Sequence, residues 1–146
     1  MFAAQINAHK QAKAELGAAG DSSRIMASRI VYCAASEADA RHKLELAHDY
    51  YGRFDNVYTG PGIVEHGAIR PLPRAQTIEE LDRNILVCTP ERMIDEIGGY
   101  DDLGIDEFIL SSNIGQTQQE ALDAMHRFAE QVMPHFDESA AGGSQR

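Results

Sequence analysis

The sequence contains little cysteine, no tryptophan and no long apolar run. Cys33 and Cys88 are its two cysteines among 146 residues. Two cysteines are too few for a disulfide scaffold, which favours a cytoplasmic location. No segment approaches the roughly 20 apolar residues of a membrane span, so we expect neither a transmembrane helix nor a membrane partner. The first residues lack a basic region followed by an apolar stretch, and no signal peptide is expected.

Basic residues are scarce as well. The sequence has 13 Lys and Arg against 23 Asp and Glu, a formal net charge of −10. Because nucleic-acid binding depends on clustered cations that neutralise phosphates, we predict no nucleic-acid partner. The composition, 43% hydrophobic and 25% charged, is that of a globular protein. The length fits one domain or part of one.

Hydrophobic periodicity predicts an alternation of helices and strands. Helices are predicted over residues 2–17, 37–54, 90–100 and 117–134, and strands over residues 24–35, 85–88 and 106–112. The helix starts are marked by Ser36, by Thr89 before Pro90, and by a Thr117–Glu120 capping box. Strands that alternate with helices predict an α/β fold with right-handed crossovers and a parallel sheet.

Two segments depart from this rhythm. Residues 55–84 contain Gly60-Pro61-Gly62 and Pro71-Leu72-Pro73, which do not sustain a helix or a central strand. We interpret them as a long insertion loop, either a lid over an active site or a plain linker. Residues 137–146 are predicted to be a disordered tail, which leaves residues 1–136 as the structured segment. Three parallel strands leave two open edges, so the sequence looks like part of a larger assembly.

Three segments in fixed order carry a family resemblance. They are Ile85-Leu86-Val87-Cys88-Thr89-Pro90-Glu91-Arg92-Met93, Leu103-Gly104-Ile105-Asp106-Glu107-Phe108-Ile109-Leu110 and Arg127-Phe128-Ala129-Glu130-Gln131-Val132-Met133-Pro134. Together they resemble the C-terminal end of the luciferase-like, flavin-dependent monooxygenases. Residues 24–54 resemble the preceding strand and helix of that family more loosely. One residue departs from the pattern, because Cys88 stands where the family usually has glycine.

The resemblance implies a fold and a chemistry. The fold would be a partial (β/α)₈ TIM barrel, comprising about the last three βα units. The cofactor would be reduced FMN, and the substrates a small organic compound and dioxygen. A flavin reductase would be a partner, and the chain would form a homo-oligomer or pair with another barrel segment. The family's catalytic histidine and most of its flavin-phosphate contacts belong to strands that precede the matched region, so the catalytic residues of this chain remain unknown.

Candidate binding residues follow from the barrel interpretation, because reactive groups of barrel enzymes cluster at the carboxyl ends of strands. Here those positions include Thr89, Ser111, Ser112 and Asn113, whose side chains would donate hydrogen bonds to flavin or substrate. The alternative is structural. Thr89 would then cap a helix, and residues 111–113 would form a turn.

Other side chains offer weaker candidates. Cys33 and Cys88 form either a reactive thiol pair or two small core residues. Glu45 and His48 make one Glu-x-x-His motif, whereas a di-iron site requires two, so no metal site is predicted. His66 lies in the long loop, where it is either catalytic or solvated.

Two alternatives to the monooxygenase hypothesis remain: a non-catalytic assembly module that pairs its open sheet edge with another chain, and a small, unrelated α/β binding domain.

Overall fold

The computed structural model describes residues 2–17 and 24–136. Within them the helices and strands follow in this order: α1 (Phe2–Leu16), β1 (Met26–Cys33), α2 (Glu37–Tyr58), β2 (Val64–Glu65), β3 (Ala68–Ile69), α3 (Ile78–Asp82), β4 (Leu86–Cys88), α4 (Pro90–Asp102), β5 (Glu107–Ser111) and α5 (Gln118–Gln131). A 3-10 turn over Met133–His135 follows α5. The predicted alternation of helices and strands is confirmed. The predicted tail, residues 137–146, lies outside the described residues.

The central sheet is parallel, three-stranded and flanked by helices, so the fold is mixed α/β as predicted. Its strand order is β4-β1-β5. Strand β1 pairs with β4 through Val31↔Leu86 to Cys33↔Cys88, and with β5 through Met26↔Glu107 to Ile30↔Ser111. Consecutive units of a barrel would instead place β4 between β1 and β5. The parallel direction agrees with the sequence prediction, whereas this strand order differs from that of a barrel arc.

The residues of β1 explain its central position. Alternate side chains of a strand point to opposite faces of the sheet, and both faces of its carboxyl half are apolar. Tyr32 packs with Leu44 of α2 on one face, whereas Val31 and Cys33 pack with Met93 of α4 on the other. A strand that is buried on both sides is most stable between two neighbours.

Capping side chains set the helix boundaries. The Ser36 hydroxyl accepts a hydrogen bond from the Asp39 amide at 3.2 Å, at the start of α2. Thr117 and Glu120 form the predicted capping box at the start of α5. Helix α4 ends at Asp102 with Leu103 as its C-cap, and Gly104 follows with a φ of +76°, a conformation that favours glycine.

Residues 55–84 hold regular structure that the sequence prediction missed. Helix α2 runs on to Tyr58, β2 and β3 form an antiparallel hairpin, and α3 starts at a capping box formed by Thr77 and Glu80. That capping box was readable in the sequence as Thr-x-x-Glu. His66 and Gly67 connect the two short strands with positive φ angles of 49° and 78°, as a two-residue hairpin turn requires.

The buried side chain of Asn56 organises this hairpin. Its Nδ2 donates to the carbonyls of Ile63 at 2.8 Å and Arg70 at 2.7 Å, and its Oδ1 accepts from the Ile63 amide at 2.9 Å. Further along, the Leu72 amide donates to the Gly52 carbonyl at 3.1 Å. The segment therefore packs along α2. Among the described residues no helix is long and apolar enough to cross a membrane.

Candidate functional site

The three parallel strands end at the same edge of the sheet, but β5 ends earlier along the strand direction than β1 and β4. Cys88 of β4 is level with Cys33 of β1, whereas Ser111 of β5 is level with Ile30. Thr89 therefore lies roughly 13 Å further along the strand direction than Ser111, with β1 between them. The structure brings Ser111, Ser112 and Asn113 together because they are consecutive, and it keeps Thr89 apart from them.

Thr89 occupies the N-cap position of α4 through its backbone. Its carbonyl accepts from the Met93 amide at 3.0 Å, but its side chain makes no capping hydrogen bond. Pro90 follows at the first helical position and has no N–H to offer. The half-buried Thr89 hydroxyl therefore does not perform the capping role that the structural interpretation gave it.

Residues 112–116 form a turn that satisfies its own polar groups. The Gln116 side chain donates from Nε2 to the Ser112 carbonyl and accepts the Ile114 amide at 2.8 Å through Oε1. Asn113 Oδ1 accepts from the Gly115 amide at 3.2 Å, and the Tyr51 hydroxyl donates to the Asn113 carbonyl at 3.3 Å. Asn113 thus has a structural role in this loop.

An apolar cavity lies between β1, β5 and α5. Its volume is about 280 Å³, and its lining includes Cys33, Leu110, Met125 and Phe128. Ser112 is the candidate residue that contributes to the lining. The volume is close to the roughly 300 Å³ at which ligand pockets begin.

An ion pair between a buried lysine and a partly exposed glutamate joins α2 to α5 beside this edge. The Lys43 ammonium pairs with the Glu120 carboxylate, lies 3.9 Å from Asp39 Oδ1, and sits 5.6 Å from the centre of the Tyr32 ring. The side chain of Lys43 is 3% exposed. Sequence reasoning missed this cluster, although Lys43 directly precedes Leu44 of the apolar stripe on α2.

The pKa values of this cluster follow from burial and pairing. The hydrogen bond from Lys43, followed by those from Thr117, lowers the pKa of Glu120 to about 2. Burial, followed by the charges of Asp39 and Glu120, raises the pKa of Tyr32 to about 12. At neutral pH the cluster thus holds an ionised carboxylate and a neutral phenol, an arrangement that stabilises the fold and offers no general base.

Helix α5 closes the carboxyl end of β1. The Arg127 guanidinium donates from Nη1 to the Cys33 carbonyl at 2.6 Å. One face of α5 therefore covers the last residues of β1, and the space that remains is the cavity beside Cys33.

The two cysteines lie side by side in the core. Cys33 and Cys88 are register partners on adjacent strands, and both are buried. Burial raises the pKa of Cys33 to about 11 and that of Cys88 to about 12. Because the thiolate is the reactive form, these pKa values support the interpretation as small core residues.

The histidine candidates are not brought together. His48 hydrogen-bonds through Nε2 to the Gln76 carbonyl at 2.8 Å, and His66 is exposed in the hairpin turn. Among the residues that the structure describes, no group of three or more His, Cys, Asp or Glu side chains is arranged to hold a metal ion.

A comparison with known proteins finds similarity to part of a flavin-dependent enzyme component. The chain is 26% identical over 122 residues to the oxygenase component of a flavin-dependent trigonelline monooxygenase from Acinetobacter baylyi. The alignment covers 79% of this chain and 34% of that protein, so the chain spans about a third of the relative's length. No family model matches the sequence.

The described residues fit part of a flavin. The cavity beside Cys33 offers the apolar wall that a flavin ring requires. A phosphate group, however, is best held at a helix N-terminus or by clustered cations. Glu37 and Asp39 already occupy the first turn of α2, Glu120 that of α5, and Pro90 with Glu91 that of α4. These carboxylates repel a phosphate, so the N-termini of α2, α4 and α5 are unsuited to holding one.

Proposed function

We propose that this chain is a segment of the oxygenase component of a luciferase-like, flavin-dependent monooxygenase, and that the cavity between β1, β5 and α5 contacts the flavin ring. The observation that carries the proposal is the position of that cavity, which is lined by Cys33 and Ser112 at the carboxyl ends of parallel strands. Ligands of α/β folds bind at this edge. The similarity to the trigonelline monooxygenase component supports the same chemistry.

The roles of the chain's own residues follow from this placement. The apolar side chains of the cavity exclude water from the reacting centre, and the Ser112 hydroxyl donates a hydrogen bond to the flavin or substrate. Ser111 and Asn113 flank Ser112 in the chain but do not line the cavity, and Thr89 lies roughly 13 Å further along the strand direction than Ser111, so Ser112 is the candidate residue that this placement brings to the flavin. Reduced FMN, when bound, would supply the electrons that activate dioxygen, and a separate reductase would deliver it.

A flavin titration tests the proposal. We expect the chain to quench the fluorescence of both FMN and riboflavin, with affinities within about threefold of each other, because no phosphate contact contributes. Met125→Glu places a carboxylate in the lining and should abolish quenching. Leu122→Glu is the matched control, since Leu122 is similarly exposed on the same helix, at 42% against 48% for Met125, and does not line the cavity. The absence of quenching, or equal quenching by the two variants, would contradict the proposal.

The barrel form of the proposal requires a different strand order and can be tested separately. Met26 and Glu107 are register partners at the exposed start of β1 and β5. Cysteines introduced at both positions form an intramolecular disulfide in the order β4-β1-β5. In a closed barrel, β4 would separate them by about 10 Å, which a disulfide does not span. Failure to cross-link in the folded chain would favour the barrel order.

A further inference from the structure

We draw no further inference here: the strongest candidate, the outer edge of β5 together with the apolar groove beside it that is lined by Phe108, Phe128 and Phe136, carries no proposal because nothing in the structure shows what covers it.

Discussion

Lys43 and Glu120 connect the second turn of α2 to the first turn of α5 across the carboxyl edge of the sheet. The lysine is buried, and the glutamate both pairs with it and closes the capping box of its own helix. One carboxylate therefore orients two helices through a contact between residues that are 77 positions apart in the sequence. Because the ion pair requires an ionised Glu120, the stability of the carboxyl edge of the sheet depends on the protonation state of that residue.

The stability of the fold should therefore fall in acid. The pKa of Glu120 is lowered from 4.5 to about 2 in the folded chain. A lowered pKa means that the stabilisation is complete above the unfolded value and disappears as the pH falls through the folded one. Urea unfolding should show this loss between about pH 4.5 and 2, and Glu120→Gln should flatten the curve in that window. An unchanged pH profile for Glu120→Gln would contradict this assignment.

Lys43→Met should destabilise the chain by about 1–3 kcal/mol, because it removes a charged hydrogen bond and leaves Glu120 without its partner. Arg70→Met is the control. Its ion pair with Glu65 is exposed on both sides, at 52% and 53%, and such surface pairs contribute under about 1 kcal/mol. Chemical denaturation of the two variants measures the difference. If the two variants lose the same free energy of unfolding, the burial of Lys43 adds nothing to the stabilisation that its ion pair provides.

The thiols of Cys33 and Cys88 should be unreactive in the native state. Both are buried, and their pKa values are raised to about 11 and about 12. Titration with a thiol reagent at neutral pH should detect little reaction before denaturation and both thiols afterwards. Rapid modification of either thiol in the folded chain would contradict this prediction, because it would show that the carboxyl edge of the sheet opens to solvent.

Two helical glycines should respond to alanine in opposite directions. A Cβ at Gly52 would lie 2.9 Å from the Leu72 carbonyl oxygen, so Gly52→Ala should destabilise the fold by about 1–3 kcal/mol. A Cβ at Gly99 meets nothing within 4 Å, so Gly99→Ala should stabilise α4 by about 0.5–1 kcal/mol. Thermal unfolding measures both effects. A Gly52→Ala variant that is as stable as the parent chain would contradict the described packing of residues 71–72 on α2.

Asn56→Ala should unfold the hairpin before the sheet. The substitution removes three hydrogen bonds to backbone groups of residues 63 and 70, and it should cost about 2–4 kcal/mol. Hydrogen exchange should show lost protection confined to residues 62–70. Asn84→Ala is the control, because it removes one exposed bond to the Glu80 carbonyl. A uniform loss of protection across β1 would instead make Asn56 part of the global core.

Local signals in the sequence predicted the elements, whereas long-range contacts determined how they assemble. Ser36, Thr117 and Gly104 marked helix boundaries because capping depends on residues within one turn. The hairpin was missed because Asn56 acts through backbone groups of residues 63 and 70, which no short pattern records. Strand order was equally hidden, because it depends on which neighbours cover the two apolar faces of β1.

The sequence predicted which residues follow the carboxyl ends of the strands, whereas it predicted neither the contacts around them nor their distances from one another. Parallel strands necessarily end at one edge, so Thr89 and Ser112 were placed there correctly from their strands alone. Lys43 and Arg127 were missed because each acts on a residue distant in sequence, Glu120 and Cys33. The stagger between β4 and β5, which separates Thr89 from Ser111, follows from backbone register and has no sequence signature.

The hairpin formed by β2 and β3 is attached to the rest of the fold through Asn56, and its tip at His66 and Gly67 is exposed. A peptide epitope or fluorescent label grafted between those two residues would therefore leave the sheet undisturbed. Such a graft would place a reporter beside the carboxyl-terminal end of α2, where it could follow local unfolding of the hairpin.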